Sequence, residues 1–209
     1  MTTNAYRIFL VDDDPSVRDA LGLLLGLNGY SVSPFRDAES FLQSCRPDWQ
    51  GCALIDIRMP GMDGLTLQER LREAGCEIPV VLITGHGDVE SARRAFRAQA
   101  VDFLEKPLDH GRLLSAIKEA FEGQAAKQDA ADQRARFDQR RAILTPRERE
   151  IMELVVAGQH NRDIAQSLNI SPRTVEVHKA RMLAKLEVQN LPDLVRLCMA
   201  ATSGPSAPN

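Results

Sequence analysis

Five short apolar segments, each followed by a segment with helical spacing, alternate through residues 1–122 of this 209-residue chain. The apolar segments cover residues 6–11, 30–35, 52–55, 80–84 and 101–105. The third and fourth are continuously apolar, which is typical of strands buried on both faces of a parallel sheet. We therefore predict an α/β doubly wound fold with a five-stranded parallel sheet for this part of the chain.

The remaining residues give only helical signals. Residues 123–142 are rich in Ala, Gln and charge and have almost no apolar stripe, which predicts an exposed helix or a flexible linker. Residues 143–202 predict an all-α four-helix domain, in which Thr145 and Glu148 form a capping box. Asn161 is predicted to cap a short helix over residues 162–168, Ser171 begins a helix to about residue 186, and the last helix covers residues 191–201. Residues 203–209 are predicted to be a disordered tail.

The distribution of charge also divides the chain. Residues 1–122 carry 13 basic and 19 acidic side chains, whereas residues 143–209 carry 8 basic and 7 acidic ones. This asymmetry predicts two domains with different partners. No apolar run reaches the roughly 20 residues of a membrane span, and acids follow the first apolar run at once. We expect a cytoplasmic protein without a membrane partner, in which the four cysteines are reduced.

Polar residues stand where the predicted strands end. Asp12 and Asp13 follow the first strand, Asp56 the third, Thr84 ends the fourth, and Lys106 follows the fifth. Because ligand sites of open parallel sheets form at the carboxyl ends of the strands, we expect these side chains to converge. Clustered carboxylates favour a hard cation such as Mg²⁺, and one carboxylate is a potential nucleophile toward a phosphoryl group.

Residues 4–122 resemble the receiver domain of two-component response regulators. The matching segments are LVDDD, ALIDIRMPGMDG, VVLITGHGD and VDFLEKP. The resemblance implies a flavodoxin-like sheet with strand order 2-1-3-4-5, and a cis peptide bond between Lys106 and Pro107. It also implies that Asp56 accepts a phosphoryl group from a partner sensor histidine kinase.

The same resemblance assigns roles to the other residues of the cluster. It implies that Asp13 is a direct Mg²⁺ ligand, that Asp12 acts on the metal through water, and that the main-chain carbonyl of Arg58 is a further ligand. Thr84 and Lys106 would contact the phosphoryl group, and Phe103 would be the aromatic residue that responds to movement of Thr84.

Two long side chains are specific to this chain. Arg58 lies two residues after Asp56, and His86 lies two residues after Thr84. One hypothesis is that they obstruct or orient the water that hydrolyses the phosphoryl group. The alternative is that both are ordinary surface side chains.

Residues 143–201 resemble the LuxR-type helix-turn-helix. With the receiver segments they resemble the NarL/FixJ subfamily, nearest the FixJ type. The resemblance implies a DNA-binding domain that dimerises partly through its last helix. Residues 171–186 are the candidate recognition segment, because they carry four basic side chains and one acidic one.

The helical register divides this segment into faces. The predicted buried side is formed by Val175, Met182, Leu183 and Leu186. Glu176 is suited to a cytosine amino group, and Val177 and Ala180 are suited to thymine methyl groups. The predicted phosphate contacts are Arg173, Thr174, Lys179 and Arg181. His178 is interpreted as either a packed residue or a contact.

Together these features predict a phosphorylation-activated transcription regulator. Phosphorylation of Asp56 would convert a monomer into a homodimer that binds two half-sites of a double-stranded operator, with RNA polymerase as a further candidate partner. A rigid helix over residues 123–142 would favour control by dimerisation, whereas a flexible linker would permit inhibitory docking. One alternative is an aspartyl-phosphate phosphatase or phosphotransferase for small molecules, but Arg58 occupies the position at which such enzymes carry a second acid. A ligand-gated DNA-binding protein is a third hypothesis.

Overall fold

The computed structural model describes residues 7–85 and 89–202. The chain divides into two compact units, Met1–Lys127 and Gln128–Asn209. In the described part of the chain, no helix is long and apolar enough to cross a membrane.

The first unit contains a five-stranded parallel sheet in the order β2-β1-β3-β4-β5, which confirms the predicted fold and strand order. The strands are β1 (Arg7–Val11), β2 (Ser31–Phe35), β3 (Cys52–Asp56), β4 (Val80–Thr84) and β5 (Asp102–Glu105). Tyr6 of the first predicted strand lies outside the described residues. Strands β2 and β5 each begin one residue later than predicted. Pro34 lies in β2, an edge strand, where a missing N–H is tolerated.

Aspartates precede several of the helices that follow the strands. The helices of this part are α1 (Pro15–Leu27), α2 (Ala38–Ser44), α3 (Gly64–Glu73), α4 (Val89–Arg97) and α5 (His110–Ala142). The side chains of Asp14, Asp37 and Asp63 each accept a hydrogen bond from an N–H in the first turn of α1, α2 and α3. Such caps satisfy N–H groups that have no partner inside the helix.

Alternate strand residues enter two separate hydrophobic clusters. Phe9 and Ile55 belong to one cluster, whereas Ile8 and Leu54 belong to the other. Because successive side chains of a strand point to opposite faces, the sheet is covered on both sides. Trp49, the single tryptophan of the chain, stacks on Phe9 with ring centroids 4.3 Å apart.

Residues 123–142 are helical, which agrees with the first of the two predictions for this segment. They continue helix α5, which runs from His110 to Ala142 and includes Gly123. A glycine in a helix costs about 1 kcal/mol relative to alanine, but the neighbouring Ala, Gln and charged residues are good helix formers. Phe137 is 4% exposed and belongs to the core of the second unit, although nothing in the polar segment around it had suggested a buried residue.

In the described part of the second unit, the C-terminal part of α5 is followed by α6 (Pro146–Val156), α7 (Asn161–Ser167), α8 (Pro172–Leu186) and α9 (Leu191–Thr202). The capping box of Thr145 and Glu148 is confirmed. The prediction that Asn161 caps α7 is wrong, because His160 is the N-cap residue and Asn161 is the first helical residue. The side chain of Asn161 instead accepts a hydrogen bond of 2.8 Å from Lys179 Nζ. The predicted disordered tail lies outside the described residues.

Candidate functional site

Three of the predicted site residues meet at the carboxyl edge of the sheet. Asp56 is the last residue of β3, and Asp12 directly follows β1. Lys106 Nζ lies 2.6 Å from Asp56 Oδ1 and 3.0 Å from Asp12 Oδ2. Both carboxylates are buried, whereas the Lys106 side chain is 30% exposed. The strand ends therefore place two buried anions on one cation that remains open to solvent.

Backbone contacts fix the orientation of both carboxylates. Arg58 N donates to Asp56 Oδ2 at 2.8 Å, and Asp14 N donates to Asp12 Oδ1 at 2.9 Å. Each carboxylate thus has one oxygen held by its own loop and the other held by Lys106. The peptide bond between Lys106 and Pro107 is cis, as expected from the sequence resemblance.

The loop after Asp56 passes so close to the strand end that only glycine fits at position 64. A Cβ added to Gly64 would lie 2.3 Å from the main-chain oxygen of Asp56. Gly64 N also donates to the oxygen of Ile57 at 3.0 Å. This close approach fixes the start of α3 against the loop that carries Asp56 and Arg58.

Burial and charge act in opposite directions on this cluster. Burial of Asp56 raises the pKa of its carboxyl, and the nearby carboxylate of Asp12 adds to the increase, while Lys106 and the Arg58 N–H oppose it. Burial disfavours the charged form of Lys106, but its hydrogen bonds to Asp56 and Asp12 keep the pKa of its ammonium above the ordinary value. Lys106 is therefore a permanent cation beside the carboxylate.

A cavity of about 620 Å³ opens beside the cluster and is lined by Asp13, Arg58 and Thr84. Asp13 is exposed, whereas Thr84 is only 1% exposed. Met59, Ser91 and Arg94 line the same cavity. Sequence reasoning did not identify Arg94, because its position on α4 has no motif; only the structure brings it to this cavity.

The donor set of this edge suits a hard cation. Asp12 and Asp56 provide carboxylate oxygens in the cluster around Lys106, and Asp13 and Arg58 line the cavity beside it. Within residues 7–85 and 89–202, no three His, Cys, Asp or Glu side chains already form a group that would enclose a metal ion. Mg²⁺ does not require such a cage, because it keeps several waters and needs only one or two carboxylates. The residues present therefore fit Mg²⁺.

Two further residues that the sequence analysis singled out are Phe103 and His86. Phe103 is partly buried and packs against the hydrophobic cluster that contains Phe9 and Ile55. Phe103 lies on β5, two residues before Glu105, and Glu105 pairs with Thr84 of β4. Phe103 is therefore on the strand next to the one that ends with Thr84. His86, which we paired with Arg58 in the hydrolysis hypothesis, lies outside the described residues.

The second unit exposes one face of α8. Arg173, Glu176, Val177, Ala180 and Arg181 are exposed, whereas Val175, Met182 and Leu186 are fully buried. Leu183 is partly buried and packs against the same core, so the predicted buried side is correct. His178 is partly buried, and its Nδ1 is buried without a hydrogen-bond partner, which favours the packed interpretation over a surface contact.

Two of the predicted phosphate contacts already have intramolecular partners. Lys179 Nζ binds Asn161 Oδ1 at 2.8 Å, and the hydroxyl of Thr174 lies 2.8 Å from that of Ser171. Lys185, counted among the basic residues of the segment, pairs at 2.6 Å with Glu148. Arg173 and Arg181 are the exposed basic residues of this helix. The exposed basic charge of α8 is thus smaller than the sequence indicated.

Glu148 is a structural residue that the sequence identified only in part. The sequence indicated the capping box. It did not indicate that Glu148 is only 3% exposed, or that its carboxylate accepts hydrogen bonds from both Thr145 N and Lys185 Nζ. The hydrogen bond from Lys185 and the contacts with Thr145 lower the pKa of Glu148 to about 2, against the effect of burial. Arg147 makes another contact within the second unit, because it donates a hydrogen bond of 2.6 Å to the carbonyl oxygen of Leu168.

Comparisons with known proteins agree with both parts of the chain. The response regulator receiver domain family matches residues 8–118, and the luxR family of bacterial regulatory proteins matches residues 142–198. The transcriptional regulatory protein FixJ of Rhizobium meliloti is 42% identical over 205 residues, covering 96% of this chain and 98% of that protein.

Solved structures give the same result. The response regulator StyR matches with a TM-score of 0.75 at 39% identity, covering 93% of this chain and 98% of that one. Full-length FixJ from B. japonicum matches with a TM-score of 0.59 at 40% identity, covering 96% of this chain and 98% of that one.

These matches decide between the functional classes. They extend over both parts of the chain, and the relatives are transcriptional regulators with a DNA-binding domain, so the small-molecule phosphatase and the ligand-gated alternatives are not supported. The chain belongs to the response regulators of the FixJ type, transcription regulators activated by phosphorylation that join a receiver domain to a LuxR-type helix-turn-helix domain.

Proposed function

We propose that Asp56 is the phosphoryl acceptor of this regulator. The observation that carries the proposal is the buried Asp56 carboxylate with Lys106 Nζ 2.6 Å from one oxygen and the Arg58 N–H 2.8 Å from the other. In the reaction a carboxylate oxygen forms a bond to the phosphorus of phosphohistidine on a sensor kinase. The P–N bond breaks, and the leaving imidazole takes up a proton from solvent.

The surrounding residues would position and neutralise the transferred group. Lys106 supplies a point charge to the phosphoryl oxygens, and Thr84 supplies a hydroxyl at the wall of the cavity. Asp12, Asp13 and the carbonyl of Arg58 would hold Mg²⁺, which supplies charge neutralisation for phosphoryl transfer. Little covalent chemistry is required of the protein beyond the Asp56 nucleophile.

Phosphorylation would then change the preferred conformation of the receiver. The modified Asp56 gains negative charge and new acceptor oxygens, which attract the ammonium of Lys106 and the hydroxyl of Thr84. Movement of Thr84 would affect Phe103, which lies on the neighbouring strand. The phosphoryl group thereby shifts an equilibrium between two receiver conformations.

The second unit would bind DNA through the exposed face of α8. Arg173 and Arg181 are placed to contact phosphates, and Glu176, Val177 and Ala180 to contact base edges in the major groove. Lys179 and Thr174 would join the phosphate contacts after giving up their present partners, Asn161 and Ser171. We expect the protein to act in the cytoplasm on a double-stranded operator.

Control would come from dimerisation. A monomer that forms a homodimer on phosphorylation would place two recognition helices on two half-sites, which converts a weak contact into a bivalent one. The helical conformation of residues 123–142 supports this mode over a flexible tether. RNA polymerase is the further partner that we expect at a regulated promoter.

The test compares the wild type and Asp56→Asn for operator binding with and without acetyl phosphate and Mg²⁺. We expect the phosphodonor to strengthen DNA binding by the wild type and to leave the variant unchanged. Equal DNA binding by both proteins under both conditions would refute the proposed switch.

A further inference from the structure

The side chain of Arg94 lines a cavity and also forms an ion pair. It lies on α4 and lines the cavity that is also lined by Asp13, Thr84 and Ile57, the residue after Asp56. Its Nη2 also lies 3.0 Å from Glu69 Oε1 on α3. The side chains of Arg94 and Glu69 are 43% and 48% exposed, and ion pairs with this degree of exposure are weak. The guanidinium is therefore held at the wall of this cavity by a partner that it can leave.

Helix α4 itself has little attachment to the core. Of its residues Val89–Arg97, only Ala95 is buried, and Val89 and Phe96 are exposed. Two polar contacts join α4 and the turn after it to α3. Gln68 Nε2 donates to Ala98 O at 3.0 Å, and Glu69, the next residue, pairs with Arg94. A helix with so few buried apolar contacts belongs to the less stable parts of a domain.

A phosphoryl group on Asp56 would compete directly for Arg94. It carries up to two negative charges, whereas the Glu69 carboxylate carries one, and a guanidinium forms two parallel hydrogen bonds to phosphate oxygens. Arg58 lies on the same cavity wall, and its own side chain is exposed. A phosphoryl group that extends from Asp56 toward this cavity would meet Arg94, whose present partner is half exposed.

We propose that Arg94 is a positioning residue that exchanges Glu69 for the phosphoryl group of Asp56 and thereby links phosphorylation to the position of α4. This inference rests on the proposed role of Asp56. In the resting protein Glu69 holds the guanidinium on α3. In the phosphorylated protein Arg94 is drawn toward Asp56, and the α3–α4 ion pair is broken. Glu69 is then a competitor that weakens phosphoryl binding.

The competition predicts a particular pattern of variant effects. Beryllofluoride with Mg²⁺ serves as a non-covalent stand-in for the phosphoryl group, and its half-saturating concentration is followed by ¹⁹F NMR of the full chain. We expect Arg94→Ala to raise this concentration about fivefold and Glu69→Gln to lower it about threefold. In the Arg94→Ala background, Glu69→Gln should have no effect, because the released guanidinium is absent.

Controls separate this role from a structural one. Arg93→Ala removes the adjacent exposed arginine of α4 and should bind beryllofluoride like the wild type. Arg94→Lys keeps the charge and should fall between Arg94→Ala and the wild type. Thermal unfolding followed by Trp49 fluorescence should give the same midpoint for all variants, because the exposed pair contributes little stability.

The outcomes distinguish this inference from the proposal on which it rests. Wild-type affinity in Arg94→Ala, or an equal effect of Glu69→Gln in both backgrounds, would overturn the role of Arg94 and leave Asp56 as the acceptor. A wild type that gains no phosphoryl mass from acetyl phosphate, and binds no beryllofluoride, would overturn both.

Discussion

Lys106 Nζ lies 2.6 Å from Asp56 Oδ1 and is the cation shared by two buried carboxylates. Removing it with Lys106→Ala leaves Asp56 and Asp12 buried beside one another without their cation. We expect the receiver to lose about 2 kcal/mol of unfolding free energy, measured by thermal unfolding with Trp49 fluorescence. Added Mg²⁺ should restore part of the loss, since a cation at this edge replaces the missing charge.

The matched control for this variant is Lys118→Ala. Lys118 pairs with Glu122 at 3.7 Å, and both side chains are largely exposed. Its removal should change the unfolding midpoint little. Equal midpoints for Lys106→Ala and the wild type would show that the buried carboxylates do not depend on Lys106.

Glu148 predicts a pH dependence in the second unit. Its pKa in the folded protein is about 2, below the ordinary 4.5, because Lys185 and Thr145 bind the ionised form. The pair therefore stabilises the fold above pH 4.5, and this contribution is lost as the pH falls toward 2. We expect Glu148→Gln to cost about 2 kcal/mol at neutral pH, measured by amide hydrogen exchange in α6 and α8.

The difference between the wild type and Glu148→Gln should shrink as the pH falls from 4.5 toward 2. Glu150→Gln is the control, since Glu150 forms a half-exposed pair with Arg147 on the same helix. A cost that stays constant across this pH range would show that Glu148 acts through packing rather than through its charge.

Gly64 predicts a steric limit beside the acceptor. Gly64→Ala places a Cβ 2.3 Å from Asp56 O, so either the loop or the strand end must move. We expect a loss of about 2 kcal/mol in unfolding free energy and slower phosphorylation by acetyl phosphate. Gly22→Ala, on α1 with no atom within 4 Å of the added Cβ, should instead stabilise the receiver by about 0.5 kcal/mol. Equal effects of Gly64→Ala and Gly22→Ala on the unfolding free energy would contradict this steric explanation.

The exposed and paired basic residues of α8 should differ in DNA binding. Arg181 is exposed, whereas Lys185 is bound to the buried Glu148. We expect Arg181→Ala to weaken binding to a random-sequence duplex and to reduce the salt dependence by about one counterion, without loss of stability. Lys185→Ala should mainly lower the stability of the second unit. The reverse assignment of these two effects would mean that another face of α8 meets the DNA.

Much of the fold was predictable because its signals are local. The continuous apolar runs of β3 and β4 are followed by Asp56 and Thr84, and parallel pairing then places both residues at one edge. The beginnings of α6 and α8 followed from the capping signals at Thr145 and Ser171. In these places local propensity and the tertiary fold favour the same structure.

The residues that escaped prediction depend on contacts between distant parts of the chain. Asn161 has a good capping side chain, but Lys179 of α8 binds it, and His160 takes the cap position. Phe137 is a lone aromatic residue in a polar segment, and only the packed core shows why it is buried. Arg94 reaches the cavity lined by Asp13 and Thr84 through the placement of α4 against α3. No periodicity encodes such pairings, because they arise from tertiary packing.

The central claim is that Asp56 accepts a phosphoryl group, and intact-protein mass after incubation with acetyl phosphate and Mg²⁺ tests it most directly. The account predicts the gain of one phosphoryl group by the wild type and no gain by Asp56→Asn. An equal gain by both proteins would place the modification on another residue, and no gain by either would contradict the proposed acceptor chemistry.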